Sequence, residues 1–97
     1  MAFNNTIDCG PRRWTQLTQA DVSALRAENQ GGYGLYLQAT SDATEPSSVS
    51  GSVHLGAWRL LAADLTLQQL WPGVTDAARV WAYNPRTVTI PVSVSHA

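Results

Sequence analysis

Arg79-Val80-Trp81-Ala82-Tyr83, then Asn84-Pro85-Arg86, then Thr87-Val88-Thr89-Ile90-Pro91-Val92-Ser93-Val94-Ser95 is the stretch that decides the fold class. Large apolar residues alternate with smaller or polar ones on both sides of the Asn-Pro-Arg break. That period of two belongs to a strand with one apolar face, and Asn-Pro marks a turn. The segment therefore predicts a closing β-hairpin. Strands with one apolar face need a second layer to cover them. Pro91 cannot donate to a ladder, which predicts an edge strand or a bulge at that point. A chain that ends inside its sheet reads as a small, self-contained β module.

Upstream of this hairpin, Asp64-Leu65-Thr66-Leu67-Gln68-Gln69-Leu70 fits one or two helical turns. Asp64 or Thr66 would cap it, with Leu67 and Leu70 facing the core. Trp71-Pro72-Gly73 ends it. Gly51 to Ala63 carries Val53, Leu55, Ala57, Trp58, Leu60 and Ala62, which reads as two short strands or one strand bent near Gly56. Ser41 to Ser50 is an aperiodic loop. Tyr33 to Thr40 is clearly extended, and Gln30-Gly31-Gly32 before it reads as the turn of a second hairpin. Thr18 to Asn29 supports two readings. Thr18 and Asp21 resemble a capping box before a helical spacing of Val22, Leu25 and Arg26. The neighbouring extended arm favours instead a tight turn at Thr18–Asp21 and a strand from about Val22. Trp14 to Leu17 is a first strand. Residues 1–12 are polar, end in Gly10-Pro11 and read as an extended N-terminal arm.

These readings sum to an all-β fold: a small β-sandwich or open barrel of about six strands, with one short helix near 64–70. The domain would span 13–97 and the arm 1–12. A chain of 97 residues is one domain. Charged residues make up 13 %, lysine is absent and all six cations are arginine. A weakly charged surface depleted in lysine has the composition of a contact surface, although arginine codon preference gives the same composition. The formal net charge of −1 and the scattered arginines argue against nucleic acid as the main partner. No apolar run reaches the roughly 18–20 residues that cross a bilayer, and the first residues lack a secretory pattern. Synthesis in the cytoplasm is expected.

The chemistry of an enzyme is hard to place, and no cofactor or metal is expected. The two histidines, His54 and His96, are far apart, and Cys9 is alone. His54 reads as a strand histidine and His96 as exposed. Cys9 lies in the arm, a poor place to hold a nucleophile. Gly31-Gly32-Tyr33-Gly34 is followed by no lysine, so it reads as a turn and not a phosphate loop. Trp14, Trp58, Trp71 and Trp81 either fill the core or, exposed in a row, stack on sugars. Trp71, beside Pro72-Gly73, reads as the one partly exposed.

The layout resembles a group of short β-rich virion proteins of tailed bacteriophages. The residues that carry the resemblance are Trp14-Thr15, Gln38-Ala39-Thr40, a Ser/Pro loop, Ala63-Asp64-Leu65-Thr66-Leu67 through Leu70-Trp71-Pro72-Gly73-Val74, Arg79-Val80-Trp81-Ala82, and Val92-Ser93-Val94-Ser95-His96-Ala97. Their order covers most of residues 13–97. The resemblance implies a structural role on the capsid surface: a head decoration (cement) protein that bridges major capsid subunits, self-associating as a dimer or trimer. It alternatively implies a tail, spike or fibre component with a carbohydrate-binding module. It implies no catalytic residues. For the contact surface, the expected residues are Phe3, Ile7, Arg12 and Arg13 in the arm, the Ser41–Ser50 loop, and Trp71.

Overall fold

A computed structural model describes residues 2–97. The strands are β1 (Phe3–Cys9), β2 (Arg13–Gln16), β3 (Arg26–Asn29), β4 (Leu35–Thr40), β5 (Val53–Leu55), β6 (Leu60–Leu61), β7 (Arg79–Asn84) and β8 (Ile90–His96). One helical turn, α1 (Leu67–Leu70), lies between β6 and β7. The strands form two antiparallel four-stranded sheets, in the orders β1-β8-β3-β6 and β2-β7-β4-β5. The fold is the expected small all-β sandwich, with eight strands where about six were expected.

The connectivity departs from the sequence reading. The segment 79–95 is not a hairpin: β7 belongs to the second sheet and β8 to the first. The turn at Gln30–Gly32 likewise joins β3 of the first sheet to β4 of the second. Of the sequential strand pairs, β4 and β5 alone are neighbours in one sheet.

The physical reason lies in two buried asparagines, each the last residue of its strand. Asn84 Nδ2 donates to the carbonyls of Val88 (2.6 Å) and Cys9 (2.9 Å), and its Oδ1 accepts from Arg86 N–H (2.9 Å). Asn29 Nδ2 donates to the carbonyls of Tyr33 (2.7 Å) and Leu55 (3.1 Å), and its Oδ1 accepts from Gly31 N–H (2.9 Å). In both, the oxygen closes an Asx turn two residues on. One amide hydrogen reaches four residues on, and the other grips a different strand's end. Both side chains are fully buried with their polar atoms satisfied. They turn the chain across the sandwich instead of back along the same sheet.

The arm at residues 1–12 is a second correction. Residues Phe3 to Cys9 pair with β8 from Phe3↔His96 to Cys9↔Ile90. Phe3, Ile7 and Cys9 share one face, and Phe3 and Ile7 pack against the core. The alternation Phe3, Ile7, Cys9 is a strand pattern, so the domain begins ahead of residue 13. Pro91 is also not on an edge, since β8 lies between β1 and β3. Gln30 N–H donates to the Pro91 carbonyl at 2.9 Å. An extended residue points its N and O to the same side, so the proline nitrogen faces the end of β3, where the ladder stops. His96, expected exposed, is 6 % exposed. Its Nε2 accepts from Gln19 N–H at 3.1 Å, and its ring stacks on Phe3 with centroids 5.5 Å apart. Residues 18–25 form neither helix nor strand, and β3 starts at Arg26 instead of near Val22.

The helical turn starts where the sequence placed it within two or three residues. Thr66 caps it through a capping box with Gln69, whose side chain accepts from Thr66 N–H at 2.8 Å. Leu67 is buried and Leu70 packs against the core. Between the sheets lie Ile90, Val92 and Val94 of β8, Leu35 and Leu37 of β4, Val80 and Ala82 of β7, and Cys9, Leu17, Leu25 and Ala27. Burial pushes the Cys9 thiol up from its ordinary 9.0 to about 12, against a hydrogen bond with Thr15 and with a small addition from Asp8.

Asn84→Ala and Asn29→Ala should each lower the unfolding free energy by about 2–4 kcal/mol, because buried carbonyls lose their donors; urea denaturation measures it. The Cys9 thiol is held neutral in the fold, so its contribution to stability is intact below pH 9.0 and is lost as pH rises toward about 12. Cys9→Ala should flatten that part of the stability–pH profile, read by thermal melts across the alkaline range.

Candidate functional site

The connection between β5 and β6 presents the largest exposed aromatic surface. Arg59 N–H donates to the Gly56 carbonyl at 3.1 Å and closes a four-residue turn. Trp58 sits at its third position with φ of 61°, in the left-handed region. A bulky residue there is strained. Asn29 N–H donates to the Arg59 carbonyl at 3.0 Å and ties the turn to β3. The result is an indole 67 % exposed on a held backbone, with Leu60 two residues on at 54 % exposure. Strain of this kind concentrates at functional positions, and tryptophan is the residue type most enriched among energetic anchors of protein interfaces.

A second feature lies at the β7–β8 arch. Arg12, Tyr33, Arg86 and Val88 line an open recess of about 220 Å³. The Arg86 guanidinium lies 4.0 Å over the Tyr33 ring. Arg12 also has positive φ, 54°, and its N–H donates to the Asn84 carbonyl at 2.7 Å. Among the described residues the one ion pair is Arg79–Asp21, at 2.7 Å, so neither arginine of the recess is neutralised by a carboxylate.

The third feature is a row across the outer face of the second sheet. Trp14 of β2 faces Tyr83 of β7, Tyr83 faces Tyr36 of β4, and Tyr36 faces His54 of β5. Trp14 and Tyr83 have centroids 5.3 Å apart at 56°, and Tyr36 and His54 are 5.3 Å apart at 63°. The tilted rings interlock edge to face. A Cβ at Gly34 would lie 2.7 Å from His54 Cε1, so the glycine leaves the imidazole room to sit at the row's end. Trp81, on the same face as Tyr83, is buried and donates Nε1–H to Thr40 Oγ1 at 3.0 Å.

The residues expected to form a contact surface do not form one cluster. Phe3 and Ile7 lie on the core side of β1, and Arg12 and Arg13 at the turn into β2. Trp71, the tryptophan expected to be partly exposed, is 4 % exposed and in the core. Its backbone N–H continues the helical turn to the Leu67 carbonyl at 2.8 Å, which folds the indole inward with Leu67. The Ser41–Ser50 loop is mostly exposed, as an aperiodic polar segment should be. Trp58 was missed. The signal was there in Gly56-Ala57-Trp58-Arg59, a turn between two short apolar runs, because the tip of a turn faces solvent. His54 and His96 lie in different sheets. No helix among the described residues is long and apolar enough to cross a membrane. Comparison with protein-family models, curated proteins and solved structures finds no match.

The exposures predict the fluorescence. Trp58→Phe should remove most of the tryptophan emission that a soluble quencher reaches in the folded protein. Trp71→Phe should leave that quenchable fraction in place and lower the melting temperature instead. Stern–Volmer titration with acrylamide separates the two.

Proposed function

We propose that the protein is a structural virion protein of a tailed phage: a capsid decoration (cement) protein that contacts the major capsid protein. The observation that carries the contact role is Trp58, an exposed indole on a strained turn, with exposed Leu60 two residues on. An indole in solvent gains by entering a partner's apolar pocket, and a fixed turn reduces the entropy lost on docking. The recess with Arg12 and Arg86 offers two unpaired guanidiniums for carboxylates of the same partner. The virion placement comes from the order of sequence segments, from Trp14-Thr15 to Val92-Ser93-Val94-Ser95. Many copies on one shell would turn individually weak patches into stable attachment.

A second reading has its own support. The row Trp14, Tyr83, Tyr36 and His54 gives several aromatic side chains on one sheet face, which a carbohydrate-binding module of a tail, spike or fibre needs.

Co-sedimentation with phage heads lacking the protein tests the first reading. Saturable binding at a fixed number of copies per capsid subunit is expected, with Trp58→Ala weakening it by roughly thirtyfold. Folded protein that fails to bind heads overturns the decoration role. Glycan binding that is lost in Trp14→Ala and kept in Trp58→Ala would establish the second reading in its place.

A further inference from the structure

The sandwich has four edge strands, and β1 differs from the other three. β6 has two residues, β5 three, and β2 four with Arg13 at its start. β1 has seven, and Phe3-Asn4-Asn5-Thr6-Ile7 contains no charge, proline or glycine. Those are the devices that keep an edge from pairing. Which main-chain groups face the open side follows from two observations. Pro91 turns its carbonyl to Gln30 on the β3 side, so its partner Asp8 on β1 makes no ladder bond with it. By alternation Asn4, Thr6 and Asp8 point their N–H and C=O groups outward. The Thr6 N–H bears this out: it is taken by its own neighbour, Asn5 Oδ1, at 2.8 Å, and not by β8.

We propose that β1 pairs antiparallel with β1 of a second copy about a twofold axis at Asn5, joining two four-stranded sheets into one of eight. The occupant is a second copy because the strand is complementary to itself. With Asn5 opposite Asn5, Phe3 of one copy faces Ile7 of the other, and Asn4 faces Thr6. Phe3 and Ile7 are half-buried on the core side, so their pairing adds an apolar contact on each side of the axis, with the Asn5 pair between them. Asn4 and Thr6 are the outward-pointing residues, so those pairs exchange main-chain hydrogen bonds. Asp8 falls opposite Ala2 and meets no like charge. An axis one residue later, at Thr6, would set Asn5 against Ile7 twice and Asp8 against Asn4. The interface is isologous, as a twofold demands. One strand pair is the whole contact, and the Asn5–Thr6 bond must open first, so the dimer is weak.

Sedimentation equilibrium and cysteine cross-linking test it. At about 300 µM the wild-type protein should show dimer mass. Thr6→Pro deletes a donor that β8 does not use, so the variant should keep the wild-type circular dichroism and weaken the dimer at least about tenfold. Under mild oxidation Asn5→Cys should give a disulfide-linked dimer, because facing residues of a non-hydrogen-bonded pair lie about 4.5 Å apart. Asn4→Cys should not, because its own copy lies diagonally about 8 Å away. Buried Cys9 keeps the background low. A wild-type monomer at that concentration, a folded Thr6→Pro that dimerises as well as the wild type, or equal cross-linking at positions 4 and 5 would overturn the proposal.

Discussion

Two carboxamides set the course of this chain. Asn29 and Asn84 each end a strand, close a turn with the oxygen, and spend both amide hydrogens on carbonyls, one of which, at the end of another strand, is buried. Neither aspartate nor serine can do this, because the site needs one acceptor and two donors. Asn84 draws the end of β1 to the end of β7, and Asn29 draws the end of β5 to the end of β3. One type of contact thus ties a strand of each sheet to a strand of the other at two places. The apolar layer between the sheets supplies most of the favourable free energy, but a layer of Leu, Val and Ile has no preference for one connection over another. The carboxamides supply that preference.

The sequence was legible where physics is local. Alternation along residues 33–40 and 79–95 disclosed strands, Thr66 and Gln69 flanked a helical turn, and the all-β sandwich followed. What stayed hidden was which strands share a sheet. Asn-Gln-Gly-Gly and Asn-Pro-Arg carry the same turn chemistry whether the chain folds back beside itself or crosses to the other layer, and the difference lies in bonds to Leu55 and Cys9, far along the chain. β1 was misread for a related reason: three polar residues, Asn4 to Thr6, dilute its alternation, and its partner β8 is at the opposite end of the sequence. Pro91 misled because a proline rule about edges is a rule about donors, and its nitrogen points past the end of a shorter neighbour.

The candidate surface was harder to see than the core. Phe3, Ile7, Arg12, Arg13 and Trp71 were natural choices by residue type, yet type alone does not say which face a side chain occupies. Trp71 follows a helical turn that folds it inward, whereas Trp58 rides a turn that throws it outward. The aromatic row from Trp14 to His54 needs four separate strands in register to exist, so no window of sequence contains it. Exposed apolar groups, unpaired guanidiniums and backbone strain coincide on connections between sheets, and the sheets hold those connections still.

The place of β8 has a consequence for synthesis. It is the strand that holds β1 and β3 apart and together, and it is the latest of the eight to be made. Until it leaves the ribosome, β1 has no ladder partner and the apolar faces of Leu35, Leu37 and Val80 have no complete layer above them. The second sheet has all four of its strands before β8 is made and the first does not, and a fold of such distant pairings closes slowly. The scarcity of long, strongly apolar runs in this sequence is what an emerging polypeptide in that position requires.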